Sequence, residues 1–212
     1  DDGVEAAERP PPRGFDWPRR DMPIALVPVY DGREEAEGTS RANAVEAHAA
    51  VDAVVSLLAA GELGASEVGV ITPYAAQARR IRALLREAAA AGDGIPGAAS
   101  VEVSSVDGFQ GREKECIIFS AVRANQRGRL GFLADARRAN VALTRARRGL
   151  IVLGHPSTLA KDDDGVWGHW MGWARAHGLV VGEEARGEYD AERARWQVHP
   201  DMPGSKLADM LG

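Results

Sequence analysis

Between Val101 and Gly154 the chain carries residue types suited to handling a phosphoryl group. A glycine-bracketed polar loop, Asp107-Gly108-Phe109-Gln110-Gly111-Arg112-Glu113, is followed by a stretch from Arg123 to Arg148 with eight arginines and one acid, Asp135. Backbone N–H groups at a helix start or in a glycine-bearing loop point at anionic oxygens, and a guanidinium meets such oxygens bidentately. Thr72, followed by Pro73, and Ser105, just ahead of the glycine loop, add hydroxyls where a strand passes into the next element. Together these residues predict an edge that handles phosphate. On charge alone, a solvated helix face is the competing reading of the arginines.

Such residues need a scaffold, and the chain offers strands and helices in alternation. Ile24 to Tyr30, IALVPVY, has strand composition, with Pro28 marking an edge or a bulge. The turn-rich DGREEAEGTS ends in Thr39 and Ser40, candidate caps for a helix over 42–60. The apolar stripe of that helix reads Val45, Ala49, Val51, Val54, Val55 and Leu58, with Gly61 as its stop. A second strand, Glu67 to Ile71, runs into Thr72 as cap and Pro73 as first residue of a helix over 74–91. Ala78, Ile81, Leu84, Leu85 and Ala88 line its packed face. Val101 to Ser105, Cys116 to Val122 and Leu150 to Leu153 are further strands. Before the last of them, Asp135 opens a helix with Arg138, Val141 or Ala142, and Arg145 along one side. This alternation predicts an α/β fold: a parallel sheet of about five or six strands with helices on both faces. Ligands of open α/β sheets collect at the carboxyl ends of the strands. Thr72, Ser105 with its loop and the arginines are therefore expected at one shared edge.

The rest of the chain narrows the function classes. At 212 residues and 45% hydrophobic it can bury one ordinary core. No run of eighteen apolar residues and no basic-then-apolar leader occurs, so neither a membrane span nor secretion is predicted. The single cysteine, Cys116, excludes an internal disulfide and reads as a buried hydrophobe in a reducing, cytoplasmic or nuclear compartment. A net charge of −5 argues against a general polyanion binder. His48, His155, His169, His177 and His199 have no metal-ligand spacing, and no metal site is assigned. Gly92, Gly94 and Gly97 spell GxGxxG, but they follow a helix, contain Pro96 and lead into a strand, so they read as a loop. Trp167, Trp170 and Trp173 form an aromatic helix face that reads as docking against the domain, with base stacking as the alternative. Residues 1–20, with three consecutive prolines, read as an extended lead-in from which Phe15 and Trp17 can dock. Asp1 in place of Met reads as a fragment or a processed chain. No GxxxxGK[ST] phosphate loop is present, the nearest fragment being Gly204-Ser205-Lys206, so triphosphate binding by these residues alone is expected to be weak.

Three ordered segments carry a resemblance. VGVITPYAAQ, SVDGFQGREKECIIFSAVRAN and GFLADARRANVALTRARRGLIVLGHPSTL are similar to motifs IV, V and VI of superfamily 1 helicases of the nonsense-mediated-decay type. That family includes the regulator of nonsense transcripts, senataxin and the immunoglobulin-mu-binding helicase. The resemblance implies a RecA-like C-terminal lobe over 21–186, with 1–20 as lead-in and 187–212 as a peripheral tail. It implies a partner N-terminal RecA-like lobe, ATP with Mg2+ held mainly by that partner, and a single strand of RNA or DNA crossing both. Arg145 matches the arginine that reaches the γ-phosphate. Glu113 matches a nucleotide-contacting acid, with Gln110, Gly111 and Arg112 in the same loop. Thr72, Pro73, Tyr74, Ser105 and Val106 match nucleic-acid contacts, and Asp107, Arg138 and Asn140 match supporting residues. From the residues alone, the preferred reading is Thr72 as a helix cap and Tyr74 as a buried aromatic, while Arg127 and Arg129 read either as nucleic-acid contacts or as solvated. The function implied is an ATP-dependent helicase lobe translocating 5′ to 3′, inactive by itself. The alternative is a free-standing, non-catalytic lobe that binds nucleic acid or protein.

Overall fold

The computed structural model describes residues 10–92, 94–162 and 165–183; the expected tail over 187–212 lies outside them. Seven strands and five helices follow in order: β1 Ile24–Pro28, β2 Glu35–Glu37, β3 Ser40–Ala42, α1 Ala44–Ala59, β4 Val68–Ile71, α2 Ala75–Ala90, β5 Glu102–Ser104, β6 Lys114–Ser120, α3 Ala136–Leu143, β7 Ala146–Gly154, α4 Pro156–Leu159 and α5 Val166–Ala176. β1, β7, β6, β4 and β5, in that spatial order, pair all-parallel. β6 and β7 sit in the middle and are buried from Cys116 and Gly149 onward, as near-continuous apolar runs must be when both faces are covered. On one face Val54, Leu57, Ile81 and Leu85 of α1 and α2 pack with Ile118 and Ile151. On the other, Leu143 of α3 and the tryptophans of α5 pack with Ile117, Phe119 and Val152. The expected α/β architecture with helices on both faces is the one found.

Several local expectations resolve in the same terms. Trp167, Trp170 and Trp173 are 0%, 6% and 3% exposed, and Trp167 stacks on Phe119 at 5.4 Å, so this face is docked and not a base platform. Pro28 ends the outer strand β1, whose far side is covered where Leu26 bonds Leu179 and Val181 through the backbone. Cys116 is fully buried, which pushes its thiol up to about 12 and leaves it inert. The GxGxxG stretch joins α2 to β5 through a 3-10 turn, Pro96–Ser100, and has no strand before it. The lead-in is more packed than an extended segment: Trp17 is 7% exposed, donates to the Pro12 carbonyl at 2.7 Å and lies on Gly149 of β7.

Four expectations are corrected. Thr39 and Ser40 do not cap α1, because DGREEAEGTS closes into the β2–β3 hairpin; Asn43 is the cap, its side chain accepting from the Glu46 N–H. Ser40 caps α2 instead, its hydroxyl accepting from the Ala76 N–H at 3.1 Å. The buried side of α1 is Glu46, Ala47, Ala50, Val51, Ala53, Val54 and Leu57, leaving Val45 44% exposed, so the stripe is rotated from the expected one. Thr72 is not a cap and Pro73 is not a first helical residue. The Thr72 N–H continues the sheet by bonding the Ser104 carbonyl at 3.1 Å, and α2 starts at Ala75 with Tyr74 as its extended cap residue. Finally, Arg145 lies beyond the arginine helix: α3 ends at Leu143, and β7 begins at Ala146, four residues earlier than expected.

One connection determines where the chemistry-bearing residues go. β5 and β6 both flank β4, so residues 105–113 must carry the chain over β4, from the carboxyl end of the sheet back to the amino end. A 3-10 turn, Asp107–Phe109, begins the crossing, and the fully buried Phe109 ring lies against Gly69 of β4. A Cβ at Gly69 would stand 2.7 Å from the Phe109 ring and 3.1 Å from Lys114 Cγ. Gly69→Val is therefore expected to lower unfolding stability by about 1–3 kcal/mol in a urea titration, whereas Gly92→Ala, whose Cβ meets nothing within 4 Å, leaves the midpoint nearly unchanged.

Candidate functional site

The crossing separates the candidate residues into two groups at opposite ends of the strands. Thr72, Pro73, Ser105, Val106, Asp107 and Arg138 belong to the carboxyl end; Gly111, Arg112, Glu113 and Arg145 belong to the amino end of β6 and β7. The single shared edge expected from the sequence is thus two edges, because the glycine loop starts at one and finishes at the other.

At the carboxyl end, Pro73, Ser105, Val106, Asp107, Phe132 and Arg138 line a cavity of about 230 Å³. Arg138 reaches from α3 to Asp107 with two parallel bonds, Nε to Oδ1 and Nη2 to Oδ2, each 3.1 Å, and so ties the arginine helix to the glycine loop. Asn140 contributes its carbonyl, which accepts from both the amide and the hydroxyl of Thr144 where α3 ends. Ser105 is exposed, and its hydroxyl accepts from the Gly108 N–H at 3.2 Å; a side chain at Gly108 would meet Ser104 Oγ at 2.4 Å. Two expected contact residues lie beneath this surface. Thr72 is 0% exposed, and its hydroxyl has no hydrogen-bond partner among the described residues. Tyr74, 3% exposed, takes the buried-aromatic alternative: its hydroxyl donates to the Leu130 carbonyl at 3.2 Å and accepts from Arg123 at 3.4 Å.

At the amino end, Gly111 turns the chain at φ +77, a conformation favouring glycine, while Gln110, Gly111 and Arg112 are exposed. Arg112 pairs with Glu102, and Glu113 with Arg147 at 3.2 Å. The Lys114 N–H donates to the Arg145 carbonyl at 3.1 Å, so Glu113 and Arg145 flank one backbone bond. The Arg145 guanidinium is half-buried and folds back, Nε donating to the Val141 carbonyl and Nη2 to the Thr144 hydroxyl, both at 3.1 Å. A guanidinium carries five N–H groups, so this tethered fork retains donors for an anion arriving from outside.

Sequence reasoning missed the buried polar group that fixes the exit of β6. Glu46, 0% exposed, accepts from the Ser120 hydroxyl and the Val122 N–H, each at 2.7 Å, and from Asn43 Nδ2 at 3.3 Å. Asn43 Nδ2 also donates to the Val122 carbonyl at 3.3 Å, and Gln77 joins Asn43 to Ser120. These bonds hold Val122 at φ +69, costly for a β-branched residue by about 1–3 kcal/mol. The next residues are fixed by Glu34, whose carboxylate accepts from Arg123 Nε, the Ala124 N–H and Asn125 Nδ2 at 2.8, 2.9 and 3.1 Å. Burial opposes its charge, but these bonds outweigh that and hold Glu34 below the usual carboxylate range. The available signal was Asn43 and Glu46 three residues apart at a helix start, the cap spacing, with the alanines Ala47, Ala50 and Ala53 marking the true buried side. Phe132, which the structure adds to the cavity, gave no signal beyond one aromatic beside Gly131.

Residues 1–157 match the family model described as an AAA domain. The chain is similar to the ATP-dependent helicase NAM7 of Saccharomyces cerevisiae, 41% identical over 84% of this chain and 18% of that protein. It is also similar to the regulator of nonsense transcripts 1 homolog of Drosophila melanogaster, 36% identical over 84% of this chain and 15% of the relative. A third relative is the DNA polymerase alpha-associated DNA helicase A of Schizosaccharomyces pombe, 42% identical over 69% of this chain and 20% of that protein. The chain thus spans about a fifth or less of the length of these relatives.

The Glu46 group yields a signed pH prediction. Burial pushes its carboxyl up to about 7, only partly opposed by the Val122 and Ser120 hydrogen bonds. The folded state therefore holds a proton that the unfolded chain has released, and stability falls as pH rises from about 4.5 towards 7. Relative to Glu46→Gln, the wild type is expected to lose about 3 kcal/mol across that window and no more above it. Parallel urea titrations at pH 4.5 and 8 measure the difference; a pH-independent gap between the two proteins would show that Glu46 does not titrate there.

Proposed function

The chain belongs to the AAA domain family, among superfamily 1 helicases of the nonsense-mediated-decay type, and on that premise we propose that it acts as the second motor lobe of an ATP-dependent helicase. In this reading the carboxyl end of the sheet follows a single strand of RNA or DNA, and the amino end meets a nucleotide held mainly by a first RecA-like lobe. The observation that supports it is the course of residues 105–113, which leave Ser105 at one end and deliver Glu113, beside Arg145, at the other.

ATP with Mg2+ supplies the free energy of the cycle. Arg145 brings a permanently charged planar fork, the chemistry that stabilises charge spread over phosphoryl oxygens. Its tethers to Val141 and Thr144 set its starting position, and turning outward requires exchanging only those two bonds. Glu113 orients Arg147 beside it, and Gln110 and Arg112 stand exposed on the same loop. The residues fit the γ-phosphate side of a nucleotide and lack a lysine cradle for the remainder, in keeping with a shared cleft. A displacement of Glu113 or Arg145 reaches Ser105, Val106 and Asp107 through a segment pinned midway by Phe109 on Gly69, and reaches Arg138 along α3. Pro73, Ser105 and Val106 make the nucleic-acid track, with Thr72 and Tyr74 holding it from below, and the step runs 5′ to 3′. The non-catalytic alternative draws on the missing GxxxxGK[ST], but gives Arg145 and Glu113 no task.

In a protein that joins this chain to a first lobe, Arg145→Ala is expected to cut nucleic-acid-stimulated ATP hydrolysis by roughly 10³-fold or more, while the Kd for single-stranded nucleic acid stays within about twofold of the parent (RT ln 2 is about 0.4 kcal/mol). Unchanged hydrolysis in that variant would leave the binding-lobe reading standing.

A further inference from the structure

Phe132 is 57% exposed, one of three large hydrophobic side chains in that state among the described residues, and its surroundings are rigid. Its neighbours are all fastened. The Leu130 carbonyl accepts from the Tyr74 hydroxyl at 3.2 Å, and the Leu133 carbonyl accepts from Trp167 Nε1 at 2.8 Å. Gly131, at φ +58, sits so close over Arg123 that a Cβ would stand 2.5 Å from its Nη1. Leu130 and Leu133 are buried at 4% and 3% exposure, so the segment has apolar anchors on both sides of an aromatic ring that it turns outward. Leaving a phenylalanine in water has a hydrophobic cost, and a loop this firmly held does not need its ring for packing.

The ring is presented in a specific way. Tyr74 meets it edge-on at 6.2 Å, the Arg138 guanidinium lies 5.8 Å from its centroid, and it forms one wall of the 230 Å³ cavity whose other walls include Pro73 and the hydroxyl-bearing Ser105. Asp107, the acid of that cavity, is neutralised by its paired bonds to Arg138. The guanidinium groups of Arg127, Arg129 and Arg137, exposed on either side of Phe132 in the chain, form no ion pair among the described residues. An exposed aromatic ring with a paired guanidinium over it, in a segment whose exposed arginines are uncompensated among the described residues, suits a flat, polarizable group on a polyanion.

We propose that Phe132 is a stacking platform for one base of a single-stranded nucleic acid, with Arg138 beside it and Arg127, Arg129 and Arg137 drawing the flanking phosphates. The proposal rests on the reading of this edge as the nucleic-acid track and adds a contact to the base itself, which the backbone track lacks. Tyr74 and Arg123 then have a defined task, since they hold the platform from below. Stacking tolerates any base, so the platform grips without reading sequence.

The test compares a fluorescein-labelled dT12 with an abasic strand of equal length, titrated with the full chain at low salt and followed by anisotropy. Phe132→Ala is expected to weaken dT12 binding by about 5- to 100-fold, to leave abasic binding and the salt slope unchanged, and to unfold at the wild-type temperature. Phe132→Trp should restore dT12 binding. The triple change of Arg127, Arg129 and Arg137 to Ala should weaken both strands and flatten the salt slope by roughly 2. If Phe132→Ala leaves dT12 binding intact, or weakens both strands equally, the platform is wrong while the nucleic-acid track survives. If the wild type binds neither strand, the track and the platform fall together.

Discussion

A chain leaving the carboxyl end of a parallel strand must return to the amino end of its next one, and here the return from β5 to β6 has only residues 105–113 in which to pass over β4. Parallel connections usually take a dozen residues or more and a helix. This one is short because β5 is short and because Gly69 removes the side chain in its path, letting Phe109 lie on the strand. The geometric consequence is that a single taut segment belongs to both ends of the sheet. A hydroxyl facing one cavity and a carboxylate facing the opposite end are carried by one short segment, pinned midway by the buried Phe109 on Gly69. The Arg138–Asp107 pair gives a second, parallel link through α3.

Much of this was legible in the residues. Apolar runs separated by helical patterns identified the parallel α/β sheet, Pro28 the outer strand, Cys116 a buried thiol and the tryptophan face a docked helix. These are features whose pattern repeats along the chain or whose burial follows from residue type. What could not be read depended on partners distant in sequence. Thr39 and Ser40 look like caps for the helix that follows them, and nothing local reveals that a three-residue strand on each side of Gly38 would fold them into a hairpin whose serine serves α2. Thr72 before Pro73 has the composition of a cap, but its amide is taken by Ser104 on a neighbouring strand. The two ends of the sheet were merged because the length of a loop does not disclose which way it travels.

Glu46 illustrates a different limit. An acid on an otherwise alanine-rich helix face reads as the exposed side, yet it is the most protected carboxyl described, because Val122 needs an acceptor for an N–H that its left-handed backbone turns away from the sheet. The rotation of α1, the strained exit of β6 and the direction in which Arg123 leaves are therefore one structural decision. Glu34 completes it by gathering three donors from the residues that follow. The platform carrying Phe132 is built on that foundation, through Arg123 under Gly131.

The β2–β3 hairpin reaches further than its size implies. α2 has no capping side chain of its own, and its first turn borrows the Ser40 hydroxyl, while Arg80 pairs with Glu35 and Glu37 at 3.0 Å. A helix finished by another element is not an independent folding unit. Residues 35–42 therefore act as a latch beside the turn at Pro73, and a segment with almost no core of its own fastens the helix that leaves that edge.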